Sequence, residues 1–87
     1  MLKKEIQDAL NEQINAEIYS SYLYYSMSAY YASVGLSGFS HWMRIQALEE
    51  LTHVQKFMAF IGDRGGRTLM QPVDGPQSEW ESPLAVF

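Results

Sequence analysis

Val34-Gly35-Leu36-Ser37 decides how this chain folds. On its N-terminal side, Ile6, Leu10, Ile14 (or Gln13), Glu17, Ser21, Tyr24, Ser28 and Tyr31 recur in steps of three and four. On its C-terminal side the same rhythm runs through Phe39, Met43, Gln46, Glu50, His53, Phe57 and Phe60. That spacing keeps one face of a helix turned toward a partner. The spacing predicts a first helix from about Leu2 to Ser33 and a second from about Gly38 to Asp63. Gly35 suits a left-handed C-cap, and Ser37 a following N-cap. So short a link favours antiparallel neighbours, and the reading is an all-α, two-helix hairpin.

Beyond Gly65-Gly66 the character changes. Thr68 to Val73 reads as extended, and Asp74-Gly75-Pro76 as a turn. Ser82-Pro83 is a helix-start signal, an N-cap followed by proline at the first helical position. With Phe87 one turn later, it reads as the beginning of a third helix cut short. The expected organisation is a helical hairpin over 1–66 and an extended crossover over 67–87.

The chain has 87 residues, 47% of them hydrophobic and 14% aromatic. One helical pair cannot enclose so much apolar surface, so self-association is expected. Ten acids against six bases give a net charge of −4, which argues against a nucleic-acid or anionic-membrane partner. Without cysteine, neither disulfides nor thiolate metal sites are available. The N-terminus turns polar at once through Lys3, Lys4, Glu5, Gln7 and Asp8, so no signal peptide is expected. No apolar run approaches the ~20 residues that span a bilayer. A cytoplasmic setting is the expectation.

Glu17, Glu50 and His53 stand where the pattern asks for apolar side chains. A carboxylate buried alone is too costly for a small domain, so it must be paired, protonated or bound to a metal. Glu50-Leu51-Thr52-His53 places a carboxylate and an imidazole at i and i+3, on one helix face. Glu17 lies about 18 residues before the hairpin centre and Glu50 about 15 after it, a depth mismatch of roughly one turn. All three can therefore converge across the seam. Bridging carboxylates neutralise two cations while an imidazole adds a nitrogen donor and leaves positions open for oxygen. A metal-free hydrogen-bond network with Gln46 and Tyr24 is the alternative. The same ligands also accept Zn(II), Mn(II) and Co(II). Glu49 points to the flank of the seam, Tyr24 can hydrogen-bond a ligand, and His41 reads as a surface residue. Met27, Met43 and Met58 read as core filler.

The run Leu10-Asn11-Glu12-Gln13-Ile14-Asn15-Ala16-Glu17-Ile18-Tyr19-Ser20 resembles the first helix of prokaryotic non-haem ferritins. Gly38 to Arg44 and Glu49 to His53 are similar to their second helix. Glu79-Trp80-Glu81-Ser82-Pro83-Leu84 resembles the end of their long crossover and the start of their third helix. The resemblance implies half of a four-helix bundle and oxidation of Fe(II) by dioxygen or peroxide at a di-iron centre. It also implies storage of the ferric mineral in a cage of 24 subunits. It makes Glu17 a terminal ligand of one iron, Glu50 the bridge between both irons, and His53 the ligand that completes the first iron's shell. Glu49 would belong to a neighbouring third iron site, with Tyr24 close by. In the haem-containing cousins a methionine follows the bridging glutamate; Leu51 stands there, so no haem is expected. Two hairpins related by a two-fold would supply four carboxylates and two imidazoles, the set of symmetric di-iron bundles. The competing expectations are a structural fragment without a complete centre, and a hairpin module whose protein partner supplies the missing helices.

Overall fold

The computed structural model describes residues 1–86; Phe87, the last residue of the expected crossover, lies outside them. Two helices, α1 (Lys4–Ser33) and α2 (Ser37–Asp63), pack side by side in an envelope of 50 × 20 × 16 Å. A 3-10 turn, η1, spans Pro83–Val86, and the described residues contain no strand. The architecture is an all-helical hairpin.

The same device ends both helices. Gly35 has φ 79°, which only glycine adopts without strain, and its N–H donates to Ala32 O while Leu36 N–H donates to Tyr31 O. This is a Schellman cap, and Leu36 packs against the cluster that contains Tyr31. At the end of α2, Gly65 has φ 76°, with Gly65 N–H to Gly62 O and Gly66 N–H to Ile61 O. The expected Ser37 cap is not formed. Leu36 is the N-cap residue, no side chain caps it, and Ser37 is already helical.

The seam is closed by small side chains at its centre and aliphatic ones toward the open end of the hairpin. Ser21 Oγ donates to Ala47 O at 2.8 Å, and Ser28 Oγ to Ser40 O at 2.7 Å. Serine and alanine let the backbones approach closely enough for those bonds. Ile14, Val54 and Ile61 form one buried cluster, joined by Leu2, Leu10, Ile18 and Phe57. Tyr31, Met43 and Val86 form a second near the hairpin turn, joined by Tyr24, Met27, Tyr30, Leu36 and Trp80. On α2 the buried positions are therefore Met43, Ala47, Val54 and Ile61, about one residue round from the expected stripe. Phe39 (49% exposed) of that stripe touches the seam only with its ring, 5.3 Å from that of Tyr31, and Phe60 (39%) and Ile6 (47%) stay exposed.

The segment after α2 runs back along α1. Gln7 Oε1 accepts from Arg67 N–H at 2.9 Å. Asn11 imitates a peptide, with Nδ2 donating to Arg67 O at 3.2 Å and Oδ1 accepting from Leu69 N–H at 2.8 Å. Further along, Ser26 Oγ donates to Gln77 O at 2.6 Å and the Tyr31 hydroxyl to Pro83 O at 3.0 Å. The crossover thus travels from the N-terminal end of α1 toward the hairpin turn. Ser82 caps η1, its Oγ accepting from Ala85 N–H at 3.3 Å.

Candidate metal centre

The register of the hairpin positions the site. Ser21 faces Ala47 and Ser28 faces Ser40. Continuing that register sets Glu17 opposite Leu51, so Glu17 and Glu50 differ in depth by one residue, about 1.5 Å. The expected mismatch of a full turn shrinks because the hairpin centre falls at Val34.

Glu17, Glu50 and His53 each bring a donor atom within 4.8 Å of the others. Among the described residues this is the one grouping of three metal-ligating side chains. His53 Nδ1 is 3.6 Å from Glu17 Oε2 and 3.8 Å from Glu50 Oε2. Both separations exceed an N–H···O hydrogen bond. They match the spacing of atoms around a shared cation, since ligands about 2.1 Å from one ion stand about 3–4 Å apart. Gln13 Nε2 donates to Glu17 Oε1 at 3.1 Å, which leaves Oε2 turned toward the other two groups. Holding a ligating carboxylate through its second oxygen is how outer residues set ligand orientation. Two carboxylates and an imidazole are suitable donors for Fe(II).

The two carboxylates are largely sheltered, with side-chain exposures of 16% for Glu17 and 21% for Glu50, whereas His53 is 48% exposed. The three residues lie beside the closed seam, on the face that α1 and α2 leave uncovered. Trp42 (51% exposed), Phe39 and Phe60 on the same helix α2 are exposed as well. Glu49 is exposed and outside the grouping, its carbonyl accepting the Thr52 hydroxyl at 2.6 Å. Tyr24 is partly buried against the Tyr31–Met43–Val86 cluster. His41 is exposed and 3.2 Å from Arg44 Nη2. Gln13 as a support for Glu17 went unread in the sequence, although its i, i+4 spacing is the available signal.

A family model described as a ferritin-like domain matches residues 7–87. The chain belongs to the ferritin family. It is 44% identical over its whole length to a bacterial non-heme ferritin of Bacteroides fragilis, and covers 55% of that protein. It is 39% identical over its whole length to the bacterial non-heme ferritin of Staphylococcus saprophyticus, covering 52% of it. The crystal structure of an open-pore ferritin from Archaeoglobus fulgidus superposes with a TM-score of 0.94 at 53% identity, over 99% of this chain and 53% of that one. The chain thus spans about half the length of the ferritins it matches. Among its described residues no helix is long and apolar enough to cross a membrane.

Proposed function

We propose that this chain carries the Glu17–Glu50–His53 half of a ferritin-type centre that takes Fe(II) as substrate for oxidation and storage. The observation that carries the proposal is the convergence of those three donors at cation-sharing distances, at mid-height of the hairpin. Glu17 acts as a terminal carboxylate aimed by Gln13, Glu50 as the carboxylate able to bridge two ions, and His53 as the nitrogen ligand. Family membership supports iron as the cargo, with dioxygen or peroxide taking its electrons. Cation charge offsets the two carboxylates, which among the described residues have no arginine or lysine ion-paired with them. Glu49 belongs to an adjoining, more exposed iron position, and Tyr24 borders the centre from the aromatic cluster. A homo-oligomeric cage in the cytoplasm is part of the same proposal, and so is absence of haem, with Leu51 beside Glu50.

Anaerobic titration with Fe(II), followed by mixing with oxygen or peroxide, tests it. Saturable binding and a rise in ferric absorbance are expected. A Glu17→Ala, Glu50→Ala variant that keeps its helicity should lose both. Equal binding by that variant removes the proposal.

A further inference from the structure

Two pairs on α1 share one geometry and differ in one charge. Lys4 Nζ donates to Asp8 Oδ2 at 2.7 Å, and Gln13 Nε2 donates to Glu17 Oε1 at 3.1 Å. Each acid stands four residues after its donor. Helical side chains lean toward the N-terminus, so each carboxylate is carried back over the turn where its donor sits. The ammonium of Lys4 cancels the charge of Asp8. The amide of Gln13 is neutral, so it orients Glu17 and leaves the negative charge in place. An acid that only supports a helix is served by either donor. An acid that presents its charge to a cation is served by the neutral one.

The bond also makes the two oxygens of Glu17 unequal. Oε1 accepts from the amide, while Oε2 lies 3.6 Å from His53 Nδ1. A carboxylate that chelates an ion turns both oxygens to it; one held at Oε1 offers Oε2 alone. That difference of one donor matters, because a shell filled by protein ligands is closed, whereas one with a position left over admits a reactant. Gln13 is exposed and the Glu17 side chain is 16% exposed, so the donor stands on the outer side of the acid it holds.

We infer that Gln13 is a positioning residue that keeps Glu17 a one-oxygen ligand at full charge, so that a bound ion retains a position for its oxidant. The inference rests on the iron-binding reading of Glu17, Glu50 and His53. Gln13 acts through Glu17 and gives no donor of its own to the ion.

The test compares the protein with two variants. Gln13→Leu keeps the helix propensity and removes the donor; Gln13→Lys supplies a donor that carries charge. Zn(II), for diffraction, and Co(II), for its visible spectrum, are the probes. In the unaltered protein Glu17 Oε2 is expected about 2.0–2.2 Å from Zn(II), with Oε1 beyond about 3 Å and still bonded to Gln13. In Gln13→Leu both oxygens should lie within about 2.5 Å of the ion, and the Co(II) bands should weaken as the coordination number rises. Its rate of Fe(II) oxidation at saturation should fall about 10-fold or more. Half-saturating Fe(II) should change less than about threefold, because the second oxygen offsets the lost orientation. Gln13→Lys should restore the one-oxygen geometry and the original Co(II) spectrum. It should still bind Zn(II) about 10-fold or more weakly, since its ammonium cancels the charge of Glu17.

A crystal of the unaltered protein in which both Glu17 oxygens bind the ion overturns the inference. So does a Gln13→Leu protein with unchanged Co(II) spectrum and oxidation rate. In either result an ion lies between Glu17, Glu50 and His53, and the iron-binding reading stands. Zn(II), Co(II) and Fe(II) bound only elsewhere, or not at all, overturn both.

Discussion

The seam between α1 and α2 and the face beside it use the same two helices in opposite ways. Along the seam the side chains are small or aliphatic, and the polar ones, Ser21 and Ser28, hand their hydrogens to carbonyls across the interface. One residue round the helix, the face carries two carboxylates, an imidazole and half-exposed aromatic rings, with hydrogen-bonding capacity and apolar area both left over. The seam is a finished interface. The face beside it is left open.

This contrast is broken most severely within the seam. Ile61 is fully buried in the lower cluster. Ile61→Ala should cost about 2–5 kcal/mol, read as a lower thermal midpoint by circular dichroism. Trp42→Ala on the open face should change the stability of the metal-free single chain by about 0.5 kcal/mol or less. Equal losses at the two positions would erase the distinction between the surfaces.

A smaller effect is expected where the crossover is fastened. Asn11→Ala removes both bonds to the segment at Arg67 and Leu69, leaving a backbone donor and acceptor to water. A loss of about 1–3 kcal/mol should follow, with faster proteolysis between residues 67 and 77 and little change in helicity. Unchanged cleavage would mean that Gln7 and Ser26 suffice to hold the segment.

The smallest loss expected of a buried contact concerns Tyr31. Burial, and secondarily the neighbouring Tyr30, push its hydroxyl above the ordinary tyrosine value. The folded state therefore holds this proton more tightly than the unfolded state does. The resulting stabilisation is complete below about pH 10 and is lost as pH rises through the folded value. Tyr31→Phe, which loses the bond to Pro83 O, should cost about 1 kcal/mol and flatten the alkaline decline in stability. An alkaline decline identical in the variant would assign it to another group.

Much of the hairpin was legible because glycine has few substitutes. Gly35 and Gly65 both sit at positive φ, and both helices end where those residues say they must. Capping at Ser37 was not legible, because Leu36 enters α2 directly and its carbonyl accepts from Ser40 N–H at 3.0 Å. The rotation of the α2 stripe had a subtler cause. Periodicity marks every large apolar residue on a broad arc, but Ala47 beside Ser21 is what draws the helices together. Of the aromatics on that arc, Phe57 packs beside the Ile14–Val54–Ile61 cluster and Phe39 against Tyr31, while Phe60 is left at the edge. Convergence of Glu17, Glu50 and His53 could be read from spacing, since it depends only on helix rise and link length. The exposure of His53 could not, because it depends on what covers the neighbouring face. The fastening by Gln7 and Asn11 also escaped notice, since side-chain bonds to an extended segment leave no periodic trace.

Diffraction from crystals soaked anaerobically in Fe(II), recorded on both sides of the iron absorption edge, bears most directly on the central claim. Anomalous density is expected between Glu17 Oε2, Glu50 Oε2 and His53 Nδ1, within about 2.0–2.4 Å of each. An iron-loaded crystal whose anomalous density lies elsewhere, with these three side chains turned apart into solvent, would contradict it.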